Sequence, residues 1–151
     1  MALRKIVLIG DDILRKKSKK VEQIDARLIE LLKDMAETMY DNENGAGLAA
    51  PQVGVLRRVV VIDMGDGLIN LINPEIIEAQ GIQEVTEGCL SIPGKWGKLR
   101  RPAMVKVRAL NEKGNQFIIK GEGELAKCLC HEIDHLNGIL FIDKVTEFIE
   151  M

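Results

Sequence analysis

The stretch GELAKCLCHEIDHL, residues 123–136, decides the reading of this chain. It reads as one helix, stopped by Asn137-Gly138. His131 and His135 are the only two histidines in the sequence, and Glu132 directly follows the first. Positions i and i+4 share a helix face, so both imidazoles can reach one metal ion. Glu132 falls near that face without having to lie on it, which suits a base acting on an activated water. The plain alternative is two ordinary helix histidines with an accidental Glu beside them.

Upstream of this helix the chain is rich in short β signals. Arg58 to Asp63 is β-branched, Gly67 to Asn73 and Glu75 to Ala79 flank Pro74, and Ile82 to Glu87 alternates after a Gln80-Gly81 turn. Met104 to Leu110 and Gln116 to Lys120 enclose Asn111 to Asn115, a hairpin turn. Before them Asp25 reads as an N-cap, with Leu28, Leu31, Leu32, Met35 and Met39 at helical spacing, so a first helix is expected from Asp25 to Tyr40. Arg4 to Gly10 alternates weakly and is expected to form a short strand; Asp41 to Gly47 is expected to be a loop. The order helix, strands, helix gives an α+β class: short, mostly antiparallel β-sheets around the central HExxH helix, with a second, N-terminal helix. No repeat or linker divides the chain, so residues 1–151 are expected to be one catalytic domain.

One helix cannot complete a metal site. Cys128 lies near the histidine face, but it is seven residues from His135, about 10 Å along the axis, too far for both to bind one ion on a regular helix. It reads instead as a small, buried wall residue, and Cys130 as packed. Gly138 continues a longer protease pattern, but Phe141 stands where a third histidine would be needed. Glu147 or Glu150 would have to fold straight back. Cys89, in Glu87-Gly88-Cys89-Leu90-Ser91, is the remaining soft ligand; its plain alternative is buried filler. Glu87 and Arg101 are opposite charges that could pair near Cys89, although spacing alone does not place them within reach; the plain alternative is two surface charges. Gly45 to Gln52 is neither a dinucleotide fingerprint nor a P-loop; taken alone it reads as a loop whose small residues let backbone approach something closely.

Composition narrows the classes. The 151 residues carry 21 basic and 23 acidic side chains, a net charge of −2, which removes the electrostatic case for a dedicated DNA binder. Three Phe, one Trp and one Tyr leave little for base stacking. No strongly apolar run is longer than that of Val59 to Ile62, far short of the roughly 20 residues that span a membrane. With no signal-peptide core, the three cysteines are expected as free thiols or ligands in a reducing cytoplasm. The basic run from Arg15 to Lys20 reads as a solvated face; contact with an acidic partner such as RNA is its functional alternative.

The stretch Gly45 to Gln52, the stretch Glu87 to Ser91 and the stretch His131 to His135, in that order, resemble the three signature motifs of bacterial peptide deformylase. Gly10 to Arg15, Asn73-Pro74 and Gly138 to Asp143 are similar to the family's surrounding text, so the resemblance covers nearly the whole chain. It implies removal of the formyl group from N-formylmethionyl nascent peptides near the ribosome, with no membrane and no specific DNA involved. It implies Cys89, His131 and His135 as ligands of one divalent ion, Fe²⁺ in the cell, with Ni²⁺, Co²⁺ or Zn²⁺ accepted. Glu132 is implied as the proton acceptor, and the Gln52 amide and the Leu90 N–H as oxyanion donors. Gly45 and Gly47 are implied to meet the substrate, and Cys128 and Leu129 to line a methionine pocket. The sequence departs from the family pattern at Cys130, where many members carry Gln, and at Asp12, where Pro is usual. Trp96, the only tryptophan, stands after the Cys89 motif and reads equally as groove wall or as packing. The short stretch after Asp143 implies that a long C-terminal helix is short or absent. The competing readings are a Zn²⁺ endopeptidase built on the same helix, a protein with a purely structural metal, and a small RNA-associated module.

Overall fold

The computed structural model describes residues 3–42 and 45–150. Helix α1 spans Ala26–Tyr40, and its N-terminus is closed by Asp25, whose Oδ1 accepts the Leu28 N–H at 3.0 Å. Eight strands follow the expected order with three additions: β1 (Gly47–Ala49), β2 (Val59–Ile62), β3 (Ile69–Gln80), β4 (Gln83–Cys89), β5 (Ile92–Arg101), β6 (Met104–Leu110), β7 (Gln116–Glu122) and β8 (Glu147–Ile149). Helix α2 covers Glu124–Leu136. One antiparallel sheet has the order β1-β2-β3-β6-β7 and the other β4-β5-β8, so the α+β class holds.

The first sheet lies between the two helices. Val59 and Val61 pack with Leu28, Leu31, Met35 and Met39 of α1, while Val60 and Ile62 pack with Ala126, Cys130 and Ile133 of α2. Both faces of β2 are therefore covered, which explains why it reads as an unbroken β-branched run and not as an alternation. The second sheet closes its own cluster, in which Val85, Ile92 and Leu99 meet Leu14, Leu140 and Phe141. Helix α2 thus ends with its two histidines at the seam between the two sheets. Gly138 ends it at φ +74°, a conformation that favours glycine, and any Cβ there would collide with the Arg15 carbonyl.

Three expectations need correction. The stretch from Arg4 to Gly10 is not a strand; it is a strap whose Val7 N–H donates to the Gln52 carbonyl (2.7 Å) and whose Ile9 N–H donates to the Ser91 carbonyl (2.8 Å). The two strands expected either side of Pro74 are one strand, β3. It absorbs the missing proline donor at a register shift, and Asn73 at φ 52° clamps the Val21 backbone through both ends of its amide (2.8 and 3.0 Å). The loop expected from Asp41 to Gly47 ends in strand β1; residues 43 and 44 lie outside the described residues. After Asp143, where the sequence alone assigns no element, the chain forms β8 on β5, with Trp96 opposite Ile149 and Gly97 opposite Phe148.

Candidate active site

The seam between the sheets holds a cavity of about 450 Å³. Its floor comes from α2, one wall from β1 and the 3-10 turn Ala50–Val53, and the other from β4 and the start of β5. Cys89 at the end of β4 and His131 and His135 on α2 place one ligand atom each within 4.8 Å of one another. The Cys89 Sγ is 3.3 Å from His135 Nε2, and the two imidazoles meet edge to face at 5.0 Å. The sulfur and both histidines are thus brought together as the sequence suggested. Glu147 is exposed on β8 beside Lys98, well away from a ligand role, and Phe141 stacks on the His131 ring at 6.1 Å.

His131 is oriented from behind. Its Nδ1 lies 2.6 Å from Glu87 Oε1, which leaves Nε2 for the cavity side. Glu87 and Arg101 are not surface charges. Each is 3 % exposed, and two hydrogen bonds of 2.7 and 2.9 Å join them. Arg101 also donates to Asp134 at 2.6 Å, and Asp134 meets Lys144 at 3.1 Å. Burial alone would push the Glu87 carboxyl up, yet the Arg101 and His131 hydrogen bonds hold it down at about 2. Sequence reasoning noticed this pair without placing it; the available signal was that Glu87 lies two residues before Cys89 on a strand.

Glu132 is buried, and its Oε1 has no hydrogen-bond partner among the described residues. Burial pushes its carboxyl up to about 7, partly opposed by His131. Gly47 explains why the carboxylate has room. A Cβ built there would lie 2.8 Å from Glu132 Oε2 and 2.9 Å from Cys128 Sγ. Gly47→Ala is therefore expected to displace Glu132 and lower kcat/KM by roughly 10- to 100-fold while the chain stays folded. Steady-state kinetics beside a melting curve checks this; unchanged kcat/KM would show that the glycine is not needed.

Gln52, 1 % exposed, is locked in one orientation. Its Oε1 accepts the Ala49 N–H at 3.0 Å, so Nε2 must face the cavity, where it donates to Ser91 Oγ (3.2 Å) and lies 3.4 Å from Cys89 Sγ. Leu90, in the two-residue turn between β4 and β5, lines the same cavity. Cys128 also lines it, and burial raises its thiol well above the usual range. Two expected residues lie elsewhere. Leu129 is buried against Gly121 of β7, turned away from the cavity, and Gly45 turns the chain beneath Met39 and Asn42. Neither lines the cavity. Cys130 sits in the core between α2 and the sheet, where burial pushes its thiol up to about 11.

The donors fit a divalent transition ion. One sulfur and two imidazole nitrogens converge, one imidazole is already oriented through its other nitrogen, and the unpartnered Glu132 oxygen is buried beside them. Three protein donors leave the open position that a structural four-ligand site lacks.

Comparison with known proteins agrees. The family model described as polypeptide deformylase matches residues 3–149. The chain is 57 % identical over 150 residues to peptide deformylase 2 of Clostridium acetobutylicum, covering 99 % of this chain and 100 % of that protein. It is 63 % identical over 150 residues to a peptide deformylase of Acetivibrio thermocellus, covering 99 % and 88 %. A crystal structure of a peptide deformylase from Legionella pneumophila superposes with a TM-score of 0.92 at 48 % identity, over 95 % of this chain and 86 % of that one. With the three motifs gathered round one cavity and relatives matched along almost their whole length, the chain belongs to the polypeptide deformylase family.

Proposed function

We propose that this metal-dependent hydrolase removes the formyl group of N-formylmethionyl nascent peptides with Glu132 as its proton carrier. The supporting observation is the buried, unpartnered Glu132 oxygen beside the Cys89, His131 and His135 cluster. Those three side chains would hold the ion, whose chemistry is Lewis acidity: it lowers the pKa of water toward neutrality. Glu132 takes a proton from the attacking water and passes it to the departing amine. The water oxygen adds to the formyl carbon, the C–N bond breaks, and formate and a free α-amine leave. Gln52 Nε2 and the Leu90 N–H donate to the oxygen that gains negative charge. Losing one such donor costs about 3 kcal/mol in the barrier. The methionine side chain enters beside Cys128, and Gly47 lets the substrate backbone approach β1.

Residues 1–151 act as one catalytic domain in this reading, with Fe²⁺ as the ion in the cell and the cytoplasm, near the ribosome, as its location. No helix among the described residues is long and apolar enough to cross a membrane. The test is formate release from an N-formyl-Met tripeptide by metal-loaded protein. Cleavage of internal bonds in unformylated peptides, without formate, would instead support an endopeptidase.

A thiolate ligand on Fe²⁺ carries a further expectation. The Fe²⁺-loaded protein should lose most of its activity within hours in air, and the Ni²⁺-loaded protein should not. Parallel aerobic and anaerobic time courses check it; an Fe²⁺ form stable for days in air would refute it.

A further inference from the structure

We propose that Trp96 sets the preference for the residue that follows the formylated methionine, favouring aromatic and large aliphatic side chains. The inference rests on the substrate placement proposed above. The indole packs against the backbone immediately before Cys89. A Cβ built on Gly88 would sit 2.6 Å from Trp96 Cζ3 and 2.7 Å from Cε3, so only glycine permits this contact. Trp96 is half-buried and lines the cavity, whereas Pro93, Gly94 and Lys95 before it are exposed at the mouth. The ring therefore stands between the buried end, at Glu132 and His131, and solvent.

A substrate held by its formyl group at the buried end must leave through this mouth. An extended peptide advances about 3.3 Å per residue. The side chain after methionine then passes the rim, where Trp96 and the 37 % exposed Met64 present apolar surface. Charge offers less there, because Lys95 is exposed to solvent, where an ion pair is worth little. Lys127 is already held by Glu124 at 2.8 Å and by the Thr86 carbonyl at 3.3 Å.

The ring packs on Gly88, and the strand that carries it is braced by its neighbours. Trp96 pairs with Ile149 of β8, and Val145 covers the neighbouring Gly97, where a Cβ would meet its Cγ2 at 2.7 Å. A side chain held in this way loses little freedom when a ligand stacks on it.

The experiment compares kcat/KM for N-formyl-Met-Phe-Ser and N-formyl-Met-Gly-Ser, using metal-loaded wild type, Trp96→Phe and Trp96→Ala. The wild type is expected to favour the Phe peptide about five- to tenfold. Trp96→Phe should keep that preference and Trp96→Ala should bring the ratio near one. An unchanged ratio in Trp96→Ala overturns the proposal. If the variants do not fold, the wild type still decides it, because its emission comes from one tryptophan. A blue shift with Met-Phe-Ser and none with Met-Gly-Ser supports the proposal, and equal response to both, or to neither, overturns it. Absence of formate from both peptides would instead count against the substrate placement itself.

Discussion

Glu132→Gln is expected to lower kcat about 10³-fold, with KM nearly unchanged and the metal content preserved. The exchange keeps the side chain's volume, which matters because the carboxylate occupies space that the missing side chain of Gly47 leaves open. It removes the buried carboxyl beside Cys89, His131 and His135 that is placed to carry a proton from water to the leaving amine, and such groups are worth roughly 10²- to 10⁴-fold. The effect on stability should run the other way. Burial opposes the charged form of Glu132 and no partner compensates its Oε1, so a neutral amide is easier to bury there. The melting temperature should equal or exceed that of the wild type. Stopped assays of formate with a metal analysis on the same sample decide the matter. A variant within tenfold of wild-type kcat would remove Glu132 from the reaction.

The legible part of this molecule was local. The HExxH helix announced itself because one face of one element carries both histidines, and α1 because Asp25 and an apolar stripe mark its start and its buried side. The hairpin Asn111 to Asn115 was legible for the same reason: Asn111 Oδ1 accepts two backbone N–H groups of its own turn. The less legible part was non-local. Strand β1 has three small or apolar residues and no signal of its own; it exists because the edge of β2 takes it up. Strand β3 passes through Pro74 only because Val21, 52 positions away, supplies partners for Asn73. In the site, His131 and His135 could be read from their spacing, whereas Cys89 was only the remaining soft side chain and its place in the expected ligand set came from the family resemblance. Leu129 could not be placed, because a neighbour of Cys128 on a helix points about 100° away, here toward Gly121. The pairing of Glu87 with Arg101 depends on the register of β4 on β5, which motif spacing alone does not specify.

That pairing carries the largest expected loss of stability. Arg101→Ala should destabilise the fold by about 3–5 kcal/mol, the usual cost of leaving a buried charge without its partner. Two carboxylates lose their donor at once: Glu87, held by two bonds, and Asp134, which retains Lys144. Glu87 then keeps only His131, so a group that burial pushes up and Arg101 had helped hold at about 2 must rise. The sign for pH follows. In the wild type Glu87 is depressed, so its contribution is present above the unfolded carboxylate range and is lost only as pH falls toward 2. In the variant its carboxyl moves upward and burial of the anion costs stability at neutral and alkaline pH. That cost disappears once the carboxyl takes up a proton. The gap in melting temperature between wild type and Arg101→Ala should therefore be widest near pH 8 and narrow toward pH 5. Metal affinity should fall with it, roughly 10- to 100-fold, because Glu87 is what orients the His131 ring. Denaturant melts of metal-free protein across that range, with metal titrations at neutral pH, separate the two effects. A gap that is constant with pH would show that Glu87 keeps its charge without Arg101. An unchanged metal affinity would show that His131 is held by its packing on Phe141 and not by the carboxylate.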